Sequence, residues 1–300
     1  MGRCDVCGLV QVVPMPSAAE IGELYDEDFD HFEPYIDQIA VHHEYFRKKV
    51  EEIQSMHSRA YVANENLDAP SISLAESAQS RHKVDTRSQG EAAQNFVRSS
   101  PHLCLLDIGC LTGVLLEEAQ KKGWKAEGID ISRDAVMYCK KHKLTACYGT
   151  VYTAKQVREN TYDVITAFQI IEHERDPVRM MRRVHKLLVN GGMVILATPN
   201  YGGFWRKVMG KRWFGFAHPE HVVLLDFNSM RKLLEKTGFR DIEVHADTPR
   251  PFPLSFAFTR GADYFPLAAW ILKPMGKLLD HFDIKNPINP WDDMIAFARK

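Results

Sequence analysis

Leu105-Leu106-Asp107-Ile108-Gly109-Cys110-Leu111-Thr112-Gly113 is the stretch whose reading decides the fold. It starts as an apolar run holding one acid, breaks at two glycines, and runs on into Val114–Gly123, which has helical periodicity. A strand that feeds a glycine turn and then a helix leaves bare backbone at the glycines and unpaired amides at the helix start, where a ligand can press close. An acid ends the following apolar segment, Glu127-Gly128-Ile129-Asp130. It falls about twenty residues after the turn, where a carboxylate can accept both hydroxyls of a ribose. Turn and acid together point to a nucleoside cofactor. The glycines are spaced G-x-x-x-G rather than G-x-G-x-x-G, so a dinucleotide pyrophosphate is poorly served. Asp107, two residues before Gly109, suits a cationic amine or sulfonium better than a phosphate.

Outward from this turn the chain alternates short apolar runs with amphipathic stretches, the pattern of a parallel α/β sheet. Strands are predicted at Cys104–Ile108, Lys125–Ile129, Thr145–Tyr148, Asp163–Phe168 and Met193–Ala197, with helices near 113–122, 133–142, 153–159 and 177–188. The last of these has Asp176 as N-cap, Pro177 in its first turn and Gly191 beyond its end. A helix at Ser229–Thr237 and strands at Asp241–His245 and Met294–Ala298 complete seven strands. Upstream, Ser17-Ala18-Ala19-Glu20 reads as a capping box opening a helix to about Tyr25. A second helix is expected from Tyr35 to Ile53. The expected organisation is a Cys knuckle and helical cap over 1–54, a polar linker over 55–99, and a core over 100–248 with 291–300. The insertion 249–290 could cap the acceptor site, join two copies in a homodimer or lie on a membrane surface; its few cations favour the first two.

Composition narrows the function classes. The 300 residues carry 45% hydrophobic and 26% charged side chains, enough to bury a sizeable core. With 38 basic against 39 acidic residues the chain is not dominated by nucleic-acid or anionic-membrane electrostatics, a local basic patch staying open, and no nucleic-acid partner is expected. No apolar run reaches the roughly 18 residues of a membrane span. Six cysteines make no disulfide scaffold, so free thiols in a reducing cytoplasm are expected.

Asp107-Ile108-Gly109 with Gly113, Asp130, Tyr162-Asp163-Val164-Ile165 and Gly191-Gly192-Met193-Val194-Ile195-Leu196-Ala197-Thr198-Pro199-Asn200 resembles the class I S-adenosylmethionine-dependent methyltransferases. The resemblance covers about 100–200, and loosely the rest to 300. It implies a Rossmann-like sheet of seven mostly parallel strands with helices on both faces. It also implies S-adenosylmethionine as cofactor, and transfer of a methyl group to an oxygen or carbon of a small or carbohydrate-linked acceptor. The turn from Asp107 through Gly109 and Cys110 to Gly113 would hold the methionine moiety and Asp130, with Ile131 beside it, the ribose. Phe168 and Gln169 would line the cofactor near its methyl group, and Tyr25 would fold over it. Leu111 departs from the family, which has a small residue there. A nucleotide-binding oxidoreductase on the same topology and a catalytically silent relative acting through a protein partner are the rival readings.

Methyl transfer from a sulfonium needs alignment first, and a base only where the acceptor carries a proton. The candidates are Glu172-His173 after the fourth strand and His218 and His221 in His218-Pro219-Glu220-His221. Ubiquinone-pathway and small-RNA methyltransferases carry E-x-x-E-H and a later His that can hold a divalent metal. Here Gln169 stands in the first position, leaving Glu172, His173 and His221. Cys4-Asp5-Val6-Cys7-Gly8 resembles the second of two C-x-x-C pairs with which relatives begin. Cys4 and Cys7 are thus candidate zinc ligands that need partners from elsewhere.

Overall fold

The structure is a computed structural model and describes residues 1–17, 39–68, 102–216, 218–249, 253–264, 266–279 and 292–300, with Glu20, Ile36, His281 and Ile284 singly. Strands β1 (Gly2–Arg3) and β2 (Val10–Gln11) precede a long helix, α1 (Ile39–Asp68). The core then runs β3 (Cys104–Ile108), α2 (Val114–Lys121), β4 (Lys125–Asp130), α3 (Arg133–Lys141), β5 (Thr145–Tyr148) and β6 (Tyr162–Phe168). It continues with α4 (Pro177–Leu187), β7 (Leu188–Pro199), α5 (Phe204–Met209), β8 (Val223–Leu224), α6 (Phe227–Lys236) and β9 (Arg240–Ala246). Helices α7 (Leu254–Tyr264) and α8 (Ala269–Leu279) intervene before β10 (Asp293–Arg299).

Seven strands form one sheet in the order β5-β4-β3-β6-β7-β10-β9. The first five are parallel, and β10 runs antiparallel between β7 and β9. This is the expected mostly parallel α/β sheet. Successive strand residues face opposite sides, so the apolar runs build two cores. Leu106, Ile165 and Val194 pack with Met181, Val184, Leu233 and Leu234 of α4 and α6. Leu105, Val164 and Ile195 pack with Leu115, Leu116, Val136 and, from α1, Tyr45, Val50 and Ile53.

Local chemistry explains the helix starts. Asp176 accepts from the Arg179 amide at 2.9 Å with Pro177 in the first turn, as expected. Helix α6 starts two residues early because Asp226 and Ser229 cap each other reciprocally. At the chain's start, the Ser17 and Glu20 side chains each accept from the other's amide, at 3.2 and 2.7 Å. The helix expected beyond Glu20, and Tyr25 in it, lie outside the described residues.

Three expectations are corrected. The helix predicted to end at Ile53 runs to Asp68, into a segment read as a linker or a frayed helix; Met56 packs on the sheet and its carbonyl accepts from the Arg299 guanidinium at 3.0 Å. No helix forms over 153–159: Thr150 and Thr153 bond to each other and to nearby amides, and Val151, Ala154 and Val157 enter the core from turns. Helix α4 ends at Leu187, with Leu188 already in β7, so Gly191 lies inside a strand that bulges between its Tyr162 and Val164 pairings.

Candidate active site

In the sheet order, β3-β4-β5 extends one way and β6-β7 the other, so the chain reverses between β3 and β6. The crevice outside the carboxyl ends at such a switch point is where open α/β sheets take ligands. The turn 109–113 follows β3 there, and Gln169 follows β6.

The turn is a tight backbone device. Gly109, Leu111 and Gly113 all have left-handed φ, at 75°, 44° and 73°. Left-handed φ favours glycine at 109 and 113, and a Cβ there would also push on Ile170 Cδ1 at 2.1 Å and Leu144 Cδ1 at 2.5 Å. Leu111 adopts this conformation as a branched residue, a strain that proteins keep mainly at functional places. Its amide donates to Asp130 Oδ2 at 2.9 Å, while Ser132 N donates to Oδ1 at 2.8 Å. Asp130 thus locks the turn onto β4, and each carboxylate oxygen keeps a lone pair for a further donor. Burial pushes its carboxyl up from the usual range, against these amide bonds. Ile131 is exposed beside it. The Cys110 thiol points away from the turn, packing against Cys139 and Gly128, so this residue offers the crevice only backbone.

Asp107 is the register partner of Thr166 on β6, whose hydroxyl donates to Asp107 Oδ1 at 2.7 Å. Burial pushes its carboxyl up to about 7, the Thr166 bond resisting and Asp130 adding to the rise. An acid so placed is only part ionised at neutral pH and can ionise fully beside a cation.

Gln169 lies across the crevice with φ 57°, its amide donating to Ala197 O at 2.7 Å. Its buried Nε2 has no hydrogen-bond partner among the described residues. Phe168 stands edge-on to Tyr45 and Phe46 of α1. A 3-10 turn, Ile171–His173, follows. Glu172, fully buried, accepts from the Thr198 hydroxyl of β7 at 2.9 Å, and its carbonyl accepts from Val222 N. That last bond draws the His218–His221 segment alongside.

Four ionisable side chains converge there on His221. The rings of His173 and of His218 each lie 4.9 Å from the His221 ring. Ligand atoms of Glu172, His173 and His221 fall within 4.8 Å of one another, as do those of His218, Glu220 and His221. Either set could hold a divalent cation by geometry. His221 Nδ1 is 3.1 Å from the Gly215 carbonyl, which can only accept, so Nδ1 carries the hydrogen and Nε2 is the basic nitrogen. Burial, aided by the His218 charge, holds His221 down at about 4. Burial and the facing His221 hold His173 at about 3. Burial works to raise Glu220, but the His218 hydrogen bond and nearby imidazole charges bring it to about 2. At neutral pH this is two neutral buried imidazoles beside a carboxylate.

The sequence-derived candidates Asp107, Gly109, Gly113, Asp130, Phe168, Gln169, Glu172, His173, His218 and His221 therefore share one edge of the sheet. Cys4 and Cys7 lie apart, in a turn where Gly8 N donates to Cys4 O at 2.9 Å and backbone amides of Cys7 and Val6 draw the Cys4 thiol down. Strand β2 pairs with β8, which begins two residues after His221. A further group went unread in the sequence: Lys49 Nζ lies 2.7 Å from Asp247 Oδ1, the Tyr45 hydroxyl donates to Asp247 Oδ2, and all three are buried behind Phe168. Its halves are about 200 residues apart, and nothing local marks them.

A glycine turn, two buried acids and a histidine-carboxylate cluster thus meet at the switch point of this sheet. A family model described as a methyltransferase domain matches residues 79–244, and the chain belongs to that family. The ubiquinone biosynthesis O-methyltransferase of Vibrio cholerae is 31% identical over 102 residues, which cover 32% of this chain and 42% of that protein. Its counterpart from Pseudomonas aeruginosa is 34% identical over 102 residues, covering 32% and 44%. The chain therefore spans less than half the length of these relatives. Among solved structures, a SAM-dependent methyltransferase from Thermotoga maritima superposes with a TM-score of 0.54 at 11% identity, over 93% of this chain and 99% of that one. The likeness is one of fold. Among the described residues no helix is long and apolar enough to cross a membrane.

Proposed function

We propose that this protein binds S-adenosylmethionine in the crevice between β3 and β6. It would pass the methyl group to a protonated oxygen or carbon of a small or carbohydrate-linked acceptor. The observation that carries the reading is His221: a buried, neutral imidazole with its tautomer set by the Gly215 carbonyl, next to the cofactor edge. The residues suit the cofactor chemically. Asp107 offers a carboxylate to a cationic amine or sulfonium, Asp130 spare lone pairs to ribose hydroxyls, Ile131 an apolar surface to a base, and Gln169 an unpartnered amide. When bound, the cofactor supplies an already activated methyl group. His221 Nε2 takes the acceptor's proton as the acceptor atom attacks, Glu172 fixes the 3-10 turn through Thr198, and Phe168 with Tyr45 and Phe46 keeps water from the crevice.

A second reading adds a divalent cation on Glu172, His173 and His221, favoured by their convergence within 4.8 Å. A cation would polarise the acceptor oxygen in place of a free base. With Gln169 in place of a carboxylate, the set offers a hard cation only one acid. Chelator treatment separates the two: turnover is lost with a metal and kept with a base. The Cys4–Cys7 turn supplies two thiols for a zinc ion whose other ligands come from outside the described residues; metal analysis of the purified protein tests it.

Calorimetric titration with S-adenosylmethionine, with NAD in parallel, is the primary test. Saturable binding of the former alone is expected. Binding of NAD alone would overturn the reading in favour of the oxidoreductase, and cofactor binding with no turnover across an acceptor screen would favour the silent relative.

A further inference from the structure

Helix α8 is turned the wrong way out for a surface helix. One side presses on α7: Gly276 is buried so close that a Cβ would meet Thr259 Oγ1 at 2.8 Å and Ser255 O at 3.2 Å, and Leu272 reaches Gly261. Stepping 100° per residue from that seam puts Trp270, Pro274 and Leu278 at the centre of the opposite side, with Ile271 and Met275 next to them. Water is therefore met by the apolar face. Trp270 is 76% exposed, Leu278 65%, and Leu267, just before the helix, 93%. A helix of a soluble protein normally shows its polar side outward, and a contiguous apolar patch of this kind marks an interaction surface.

Charge selects the occupant. The stretch Tyr264–Leu279 contains Lys273 and Lys277 and no acid. Both lysines are exposed and fall on one flank of the outward face, where their alkyl stems can follow the apolar surface while the ammonium groups reach past it. A second copy docking on this face would bring two more lysines from this stretch and no acid from within it, its nearest acids in sequence being Asp263 and Asp280 at the two ends. An anionic lipid surface meets both halves of the pattern: acyl chains for Trp270, Ile271 and Leu278, headgroups for the lysines, and an interfacial place for the indole. Eleven residues cannot span a bilayer, so the helix would lie flat.

We propose that α8, with Leu267, is an interfacial anchor that seats this protein on anionic membranes. The proposal is independent of methyl transfer. It also departs from the expectation that the 249–290 insertion serves as an acceptor cap or dimer contact.

The test is sedimentation of the full chain with unilamellar vesicles of phosphatidylcholine alone or with about one third phosphatidylglycerol. Light scattering without vesicles runs alongside. Binding to the anionic vesicles is expected, at least tenfold weaker on the neutral ones. Lys273→Glu with Lys277→Glu should lose the anionic preference, and Trp270→Ser with Leu278→Ser should lose binding to both. These side chains are exposed, so both variants should keep the wild-type melting temperature and S-adenosylmethionine affinity, which separates a failed anchor from a failed cofactor site. Wild-type protein that stays in the supernatant with anionic vesicles overturns the proposal. So does a Trp270→Ser, Leu278→Ser variant that still sediments, or a wild-type dimer that this variant converts to monomer with vesicle binding unchanged.

Discussion

His221 and Asp107 are two buried ionisable residues whose surroundings push them in opposite directions, and each is proposed to serve a different step. With its basic nitrogen available above about pH 4, His221 can act as a base across the whole neutral range. His221→Asn should keep the Gly215 bond and the cofactor affinity while kcat falls by about 10²–10⁴-fold, the usual worth of a positioned base. Wild-type kcat should hold from neutral pH to about 5 and fall as the ring protonates near 4. A variant with undiminished kcat removes the base. Asp107 sits at about 7, so its carboxylate form, which a cationic ligand needs, grows as pH rises through 7. S-adenosylmethionine affinity should therefore rise between pH 6 and 8 and then level off, and Asp107→Asn should flatten that rise; equal slopes in the two proteins would assign the cation to another group. Asp107, Gly109, Gly113 and Asp130 were legible in sequence because one strand-turn-helix and the next strand carry them. The inward turn of the Cys110 thiol was not, since it depends on Cys139 and Gly128 from other elements.

At the scale of elements, α1 depends on a buried clasp more than on its own periodicity. Lys49 and Asp247 are almost wholly buried and joined at 2.7 Å, with the Tyr45 hydroxyl on the second oxygen. Burial makes such a pair costly to break, by up to about 3–5 kcal/mol, with part-exposed Glu52, 3.0 Å from Lys49 Nζ, still offsetting the lysine when Asp247 is removed. Urea unfolding of Asp247→Ala should show a loss of that order. Lys49→Met with Asp247→Leu should recover most of it, because neither charge then remains. Independent, additive losses would show that the clasp is not a unit. Tyr45 also holds Phe168 edge-on, so the single variant should weaken cofactor binding too. Strands β3 and β5 could be read to the residue because apolar runs are bounded by turns on both sides. The reach of α1 to Asp68 could not, since its last turns are polar and Arg299, at the far end of the chain, holds the Met56 carbonyl. Nor could the turns over 153–159, where hydroxyls compete with helical bonds and buried Val151 and Val157 settle the outcome.

For the whole molecule these buried groups link stability to pH, and the signs oppose. His221 goes from 6.5 unfolded to about 4 folded, so the native state refuses a proton the unfolded chain accepts; its contribution is lost as pH falls below 6.5. Between pH 7 and 5 that is about 2 kcal/mol of lost stability. Asp107 goes from 3.8 unfolded to about 7 folded, so the native state holds a proton the unfolded chain releases; its contribution grows as pH falls from 7 toward 4. Over the same interval it gains about 2 kcal/mol, and the two nearly cancel. Single variants should unmask each. From pH 7 to 5, His221→Asn should lose about 2 kcal/mol less than wild type and Asp107→Asn about 2 kcal/mol more, measured as urea unfolding free energies of the ligand-free protein. Divergence of the two curves on either side of wild type would tie both groups to the folded site. Three parallel curves would mean that neither side chain is buried as the site requires. The base and the cation-binding carboxylate would then both have to be sought elsewhere along the edge between β3 and β6.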